Sequence, residues 1–234
     1  MSLQRARFRG DCSAHEFQEV LKRFKQEGCN LLVTGAVSED VTVQATRTLL
    51  GAPDADRKRV VALGDSRRGN VRERLPPGVA PDDSDVWVID QCAKQRSVPQ
   101  AARSADVNLP TESDDCDALG QLREEVVIAI DYFEEASDGL APSELRLSVA
   151  SLDRLAHEFD PDAVARFVRS VSAMVRGVRG MAHYHLARPD DDEMVERLSP
   201  LFDARIELRK RDGLPTEQRW HVPQSEQTTE WVRL

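Results

Sequence analysis

The sequence predicts an α/β fold: a doubly wound, mostly parallel sheet flanked by helices and finished by a C-terminal antiparallel β-meander. Three observations predict it. Short continuous apolar runs alternate with amphipathic helical repeats, which is how strands covered on both faces and their crossover helices read. Two of these runs, Val60–Leu63 and Val86–Ile89, each end in an aspartate within two residues, Asp65 and Asp90. The last segment switches to apolar/polar alternation, the pattern of antiparallel strands with one wet face.

In chain order, Ser13 and Glu16 have capping-box spacing, and Phe17, Val20, Leu21 and Phe24 repeat at helical spacing until Gly28. Cys29–Thr34 reads as a buried strand halted by Gly35, and Val41–Leu50 as a helix closed by Gly51 and Pro53. After the strands at 60–63 and 86–89, residues 91–117 are polar, contain Pro99 and Pro110, and predict a long loop. Leu119, Leu122, Val126, Ile130 and Phe133 mark a helix that stops near Gly139, and Glu144–Leu152 gives a strand. The helix after Asp160-Pro161 gathers Val164, Phe167, Val168, Val171, Met174, Val175 and Val178 on one face, with Arg166, Arg169, Arg176 and Arg179 on the other. Met181–Leu186 is a strand, Asp190–Leu198 a short helix and Asp203–Lys210 a strand, before alternating strands at Thr216–Val222 and Thr228–Leu234. The organisation is therefore an N-terminal tail, residues 1–12, and one domain, 13–234, whose residues 203–234 form a β extension.

Composition narrows the setting. A chain of 234 residues can bury roughly 70–75% of its unfolded surface, so it needs no disulfide or metal staple. Its apolar runs fall short of a membrane span and its first ten residues lack an apolar export core, which predicts a cytoplasmic protein. With 41 acidic against 32 basic residues the net charge is −9, and only five of the 32 are lysines. That balance resembles proteins from salt-saturated cytoplasm, where a Debye length of about 3 Å weakens self-repulsion. A GC-rich genome, in which arginine codons are common, gives the same bias. Cys12, Cys29, Cys92 and Cys116 form no C-x-x-C pair, which speaks against a zinc site.

The strand at 29–34 is followed by Gly35-Ala-Val-Ser-Glu-Asp-Val-Thr42, which has the frame of a Walker A loop. That loop requires Gly-x-x-x-x-Gly-Lys-[Ser/Thr], whose backbone N–H groups and lysine hold phosphate and whose hydroxyl holds Mg²⁺. Here the first glycine and last threonine remain, but Asp40 stands at the second glycine and Val41 at the lysine. Glu39 and Asp40 would also set two carboxylates beside the phosphates, a repulsion that a helix dipole of about 1 kcal/mol does not offset.

With these residues and the run Leu145–Glu207, the chain resembles the RecA/KaiC-like P-loop ATPase domains, specifically a degenerate haloarchaeal branch, the HTR-like proteins. The likeness lies in LSVASLDRL, the Phe167 helix, MAHYHL and LSPLFDARIEL, and covers roughly Cys29 to Leu234. The resemblance implies a RecA-like fold and a vestigial phosphate site at Gly35 and Thr42. Active relatives carry an aspartate before a Ser-Leu pair on the Walker B strand; here that place is Ala150, before Ser151-Leu152. Lysine and metal-holding carboxylate are thus both missing, which predicts lost hydrolysis. Asp90 is the alternative metal ligand if the strands align otherwise.

Three other constellations carry candidate chemistry. His183 and His185 share a strand face and could ligate a metal with Asp190 or His221, although such pairs are usually hydrogen-bonded strand-end residues. Ser148 and Ser151 lack the Gly-x-Ser-x-Gly elbow of a nucleophile. The stripe Arg166, Arg169, Arg176 and Arg179, aided by Arg205, Arg209, Lys210 and Arg211, could hold nucleic-acid phosphates or merely pair with surface carboxylates. The sequence-level expectation is a non-catalytic regulatory or adaptor module acting through protein contacts or self-association, with no catalytic residues, no cofactor and no membrane contact. The alternatives are a transcription-associated nucleic-acid binder and a nucleotide sensor that binds without hydrolysis.

Overall fold

A computed structural model of the chain describes residues 14–63, 71–90, 115–150, 152–223 and 227–234. Its elements are α1 (Ala14–Glu27), β1 (Cys29–Thr34), α2 (Glu39–Leu49), β2 (Lys58–Leu63), α3 (Val71–Arg74), β3 (Val86–Asp90), α4 (Asp115–Ala136) and β4 (Leu145–Val149). They continue with α5 (Leu152–Glu158), α6 (Pro161–Gly177), β5 (Met181–Leu186), α7 (Glu193–Leu198), β6 (Ala204–Arg209), β7 (Glu217–Val222), β8 (Gln227–Thr228) and β9 (Val232–Arg233). None of the described helices is long and apolar enough to cross a membrane.

One nine-stranded sheet runs in the order β3-β2-β4-β5-β1-β6-β7-β8, with β9 also on β7. The strands from β3 to β6 are all parallel, whereas β7 turns back along β6 and carries β8 and β9 antiparallel. The α/β class, the mostly parallel sheet and the antiparallel C-terminal strands agree with the pattern of the sequence. Continuous apolar runs were its signal because the inner strands are covered on both faces: every residue of β1, β4 and β5 is buried.

Strand parity divides the core. Leu32, Leu147 and Tyr184 face α4 and α6, while Leu31, Val33 and Ile206 face α1 and α2. The α6 helix follows the expected stripe, with Val164, Phe167, Val168, Val171 and Val175 buried. Asp160 caps it by accepting from the N–H groups of Asp162 and Ala163, and Pro161 occupies the first turn, where no N–H is needed.

Several boundaries differ from expectation. The strand predicted over 144–152 ends at Val149, because Leu152 opens α5 and turns Leu152, Leu155 and Ala156 into the core. Glu144 belongs to the preceding turn, its carboxylate accepting from the N–H of Ala141 at 2.7 Å. The predicted strand 228–234 is two short strands, and Thr229, just past the first, still holds β7 twice: its N–H donates to the carbonyl of Trp220 and its Oγ1 accepts from the N–H of Trp220, both at 2.9 Å. Helix α4 already begins at Asp115, inside the segment predicted as loop; residues 91–114 of that segment lie outside the described residues, as do the tail 1–12, Ser13, Asp65 and Ser151. The short helix expected over 190–198 starts at Glu193, where Asp192 accepts from the N–H of Met194.

Candidate functional site

Beyond the C-terminal ends of β1, β4 and β5 lies a cleft of about 310 Å³, lined by Glu39, Thr42, Arg74, Ala150, Asp153 and His185 among others. The turn after β1 and the end of β4 therefore open on one space. This is where an open parallel α/β sheet places ligands.

The turn itself is closed by its own hydrogen bonds. Gly35 donates its N–H to the carbonyl of Arg188 at 2.8 Å, and Val37 donates to Gly35 at 2.9 Å. Gly35 has φ +123°, and a Cβ there would lie 2.3 Å from the carbonyl oxygen of Leu208. Close approach of β6 thus accounts for this glycine without any phosphate. Thr42 turns its hydroxyl back to donate to the carbonyl of Glu39 at 2.7 Å. Val41, at the lysine position, is buried against α1 and the sheet.

Charge in the cleft is paired internally. The Arg74 side chain is only 4% exposed, and its Nη2 meets Glu39 Oε1 at 2.9 Å. Across the cleft, Asp153 accepts from Arg188 Nε at 2.7 Å, and Arg188 also reaches Asp192 at 3.4 Å. The hydrogen bond to Asp153 holds the Arg188 guanidinium above its ordinary pKa.

His185 closes the floor. The Thr46 hydroxyl donates its one proton to the carbonyl of Thr42 at 2.9 Å, so the 2.8 Å contact between Thr46 Oγ1 and His185 Nε2 requires the imidazole to donate. This fixes the tautomer and leaves Nδ1, a buried acceptor with no hydrogen-bond partner among the described residues, on the other side of the ring. Burial, and then the Arg74 charge, push the His185 pKa down to about 3. His183 packs edge-on against it, centroids 5.3 Å apart, and burial with the neighbouring His185 drives its pKa well below the ordinary value. Both rings are neutral at pH 7.

The metal expectation for this pair is not met in the expected company. His183 and His185 are in register with Leu31 and Val33, on the face toward α1 and α2. Glu207 and His221 lie on the opposite face, where Asp190 meets them. Among the described residues, Asp190, Glu207 and His221 do bring ligand atoms within 4.8 Å of one another. Their charges are already met: Arg205 binds Asp190 at 2.9 Å, and Arg219 and His221 both bind Glu207. Two guanidiniums cancel two carboxylates, so the cluster offers a cation no net attraction. Asp90, the alternative metal ligand, sits on edge strand β3, separated from β4 by β2 and away from the cleft lining.

The arginine stripe is also divided. Arg166 and Arg169 are exposed on α6, but Arg176 is bound to Asp203 at 2.6 Å. Arg179 lies beyond the helix end in a left-handed conformation, φ +53°, and donates to the carbonyl of Leu140. Arg205 is bound to Asp190, Arg209 and Arg211 share Glu217, and Lys210 donates to the carbonyl of Leu214. Both tail tryptophans pack onto the sheet: Trp220 meets Phe17 edge-on, and Trp231 lies beneath the guanidiniums of Arg209 and Arg219. Sequence reasoning missed Arg74 and Asp153: Arg74 stands in no motif and only the fold brings it to Glu39, while Asp153 lies inside LSVASLDRL three residues after Ala150 but has no motif role there.

Residues 28–208 match the family of unknown function DUF7504. The chain belongs to that family. The matched region runs from the start of β1 to β6, so this DUF7504 chain shares with its family every strand bordering the cleft, while α1 and the antiparallel β extension fall outside the match. Comparison with curated proteins finds no match.

Proposed function

We propose that this chain is a non-catalytic, RecA/KaiC-like module that acts through protein contacts. The observation that carries the reading is the shared cleft. The turn that would cradle phosphate and the strand end that would hold the metal face one another, as such an ATPase requires, yet the groups that would act there are replaced and the remaining charges neutralise one another.

Phosphoryl transfer is chiefly positioning and charge neutralisation. At the turn, Val41 supplies no ammonium and is committed to the core. At the strand end, Ala150 supplies no carboxylate, and Asp153, which lies near it in the cleft, is engaged by Arg188. The one buried cation of the cleft lining, Arg74, is met by Glu39. A triphosphate would have to displace that pair and accept two carboxylates as neighbours. Losing one charge-assisted contact typically costs roughly 2–5 kcal/mol, and here at least two are replaced.

The nucleic-acid alternative is left with Arg166 and Arg169, since Arg176, also exposed on α6, is bound to Asp203. Phosphate binding through so few cations is weak and falls steeply with salt. The test of the main reading is ATP turnover with Mg²⁺ in multimolar KCl, the medium the acidic, arginine-biased composition calls for. The expected result is no turnover above background; turnover abolished by Thr42→Ala overturns the proposal.

A further inference from the structure

We propose that Arg57, Arg59 and Arg146 form a binding site for a halide ion, chloride in a chloride medium. The three lie at the N-terminal ends of β2 and β4, whereas the cleft opens beyond the C-terminal ends of its strands, so the two sites sit at opposite ends of the sheet.

Register brings the charges together. Arg57 comes immediately before β2, and Arg59, two residues on, is directly in register with Arg146 of β4. All three side chains reach the turn between α2 and β2. Arg146 Nη1 donates to the carbonyl of Leu49 at 3.3 Å and Arg59 Nη2 to that of Ala52 at 2.7 Å, while Arg57 runs alongside Gly51, where a Cβ would stand 3.5 Å from its Nε. Arg59 and Arg146 are buried, and Arg57 is half-buried.

What the cluster lacks is an anion. Its other acceptors are neutral as well: the carbonyls of Asp56, Arg57 and Ser143, and the Ser143 hydroxyl. In a chain with 41 acidic residues, no carboxylate of the described residues lies within ion-pair distance of any of the three. Asp85, Asp83 and Asp56 act on Arg59 only from farther away, and Asp85 is engaged by Lys58 at 2.6 Å. The C-terminal end of α2 supplies about half a negative charge against three guanidiniums, which leaves an excess of roughly two and a half. Like charges facing one another on neighbouring strands repel, and a buried charge without a counter-ion is costly. Proton loss does not relieve the excess, because burial and then the Arg57 charge bring Arg146 down only to about 10. The counter-charge therefore comes from solution.

The free donors set the kind of ion. Nε of Arg57 and Nε of Arg59 are buried and have no acceptor among the described residues. All three nitrogens of Arg146 and both Nη atoms of Arg59 already donate to neutral oxygens. A carboxylate or phosphate is held best by two parallel N–H groups of one guanidinium, and here that fork is divided among carbonyls. A halide needs no fork. One small sphere accepts a single N–H from each of several guanidiniums, which is what this cluster has left to give.

The test is urea unfolding of the full chain as potassium chloride replaces potassium gluconate at constant total concentration. An ion bound by the folded chain alone raises the unfolding free energy with the logarithm of its concentration once above its dissociation constant. A general salt effect instead grows in proportion to concentration and acts on any variant alike. The wild type is expected to show the logarithmic rise, and bromide to reproduce it. Arg57→Gln removes one free donor and one charge from a half-buried position and should weaken halide binding about tenfold or more. A crystal of the wild type grown in bromide should show an anomalous peak within hydrogen-bond reach of Arg57 Nε and Arg59 Nε, a measurement that needs no variant to fold. A wild type without the logarithmic dependence, a dependence unchanged in Arg57→Gln, stabilisation by inorganic phosphate where chloride gives none, or a bromide crystal with no peak at the guanidiniums overturns the proposal. No nucleotide or magnesium enters either measurement, so this site and the ATPase reading fail separately.

Discussion

Arg74 and Glu39, one at the end of a four-residue helix and the other at the start of α2, close the mouth of the cleft with a 2.9 Å contact between Nη2 and Oε1. The guanidinium is buried while the carboxylate is 44% exposed, so the pair is lopsided: removing the anion takes an opposite charge from a cation that water reaches poorly.

Glu39→Gln therefore destabilises the fold, by about 1–2 kcal/mol. The figure lies below the 3–5 kcal/mol of a fully buried pair because solvent screens the Glu39 side. Urea unfolding of both proteins measures it, and an unchanged midpoint at unchanged slope would show that Arg74 does not need this partner.

Gly35→Ala is costly for a reason unrelated to nucleotide. With φ +123° and the Leu208 oxygen 2.3 Å from the new methyl carbon, either the turn or β6 must shift. The expected loss is roughly 3 kcal/mol or more. Tm and urea midpoint read it directly; a variant within about 0.5 kcal/mol of wild type contradicts the packing account of this glycine.

The buried histidines make stability depend on pH. Both titrate below their ordinary value of 6.5 in the folded chain, His185 at about 3. As pH falls below 6.5 the unfolded chain binds protons that the folded chain does not. The stability associated with the neutral rings is therefore complete above pH 6.5 and lost progressively toward pH 3. His185 contributes a slope of about 1.4 kcal/mol per pH unit and should remove roughly 2 kcal/mol between pH 6.5 and 5, with His183 acting in the same direction. His185→Gln, which can still donate to Thr46, should remove the His185 share and flatten the slope. Unfolding free energies at pH 7.5, 6 and 5 decide it, and a slope indifferent to the substitution rules the pair out as its source.

Much of the scaffold was legible because its signals are local. The runs at Cys29–Thr34 and Met181–Leu186 announce strands covered on both faces, and Asp160-Pro161 announces the start of α6. Legibility failed where one local pattern runs into another. Ala150 and Leu152 follow Val149 closely enough to extend the apolar run past the end of β4, which hid the start of the seven-residue α5. Arg179 fits the helical wheel of the arginine stripe, but the helix ends at Gly177 and Arg179 takes a left-handed conformation. At the site, Gly35, Thr42 and Ala150 could be placed in the sequence because a motif frame indexes them. Arg74 could not, since it sits in a polar Arg-Glu-Arg stretch and meets Glu39 across 35 residues of chain. The two histidines were read as sharing a face, but alternation alone does not say which face, and the opposite one carries Asp190, Glu207 and His221.

Binding of ATP with Mg²⁺, read as a shift in unfolding temperature in multimolar KCl, tests the central claim most directly, because any ligand held by the folded chain alone must stabilise it, by about 2.7 kcal/mol at a hundred times its dissociation constant. The account predicts no shift at millimolar nucleotide, for the wild type and for Thr42→Ala alike. A magnesium-dependent rise in the wild type that Thr42→Ala removes would contradict it, by placing a triphosphate in the cleft that Arg74 and Glu39 close.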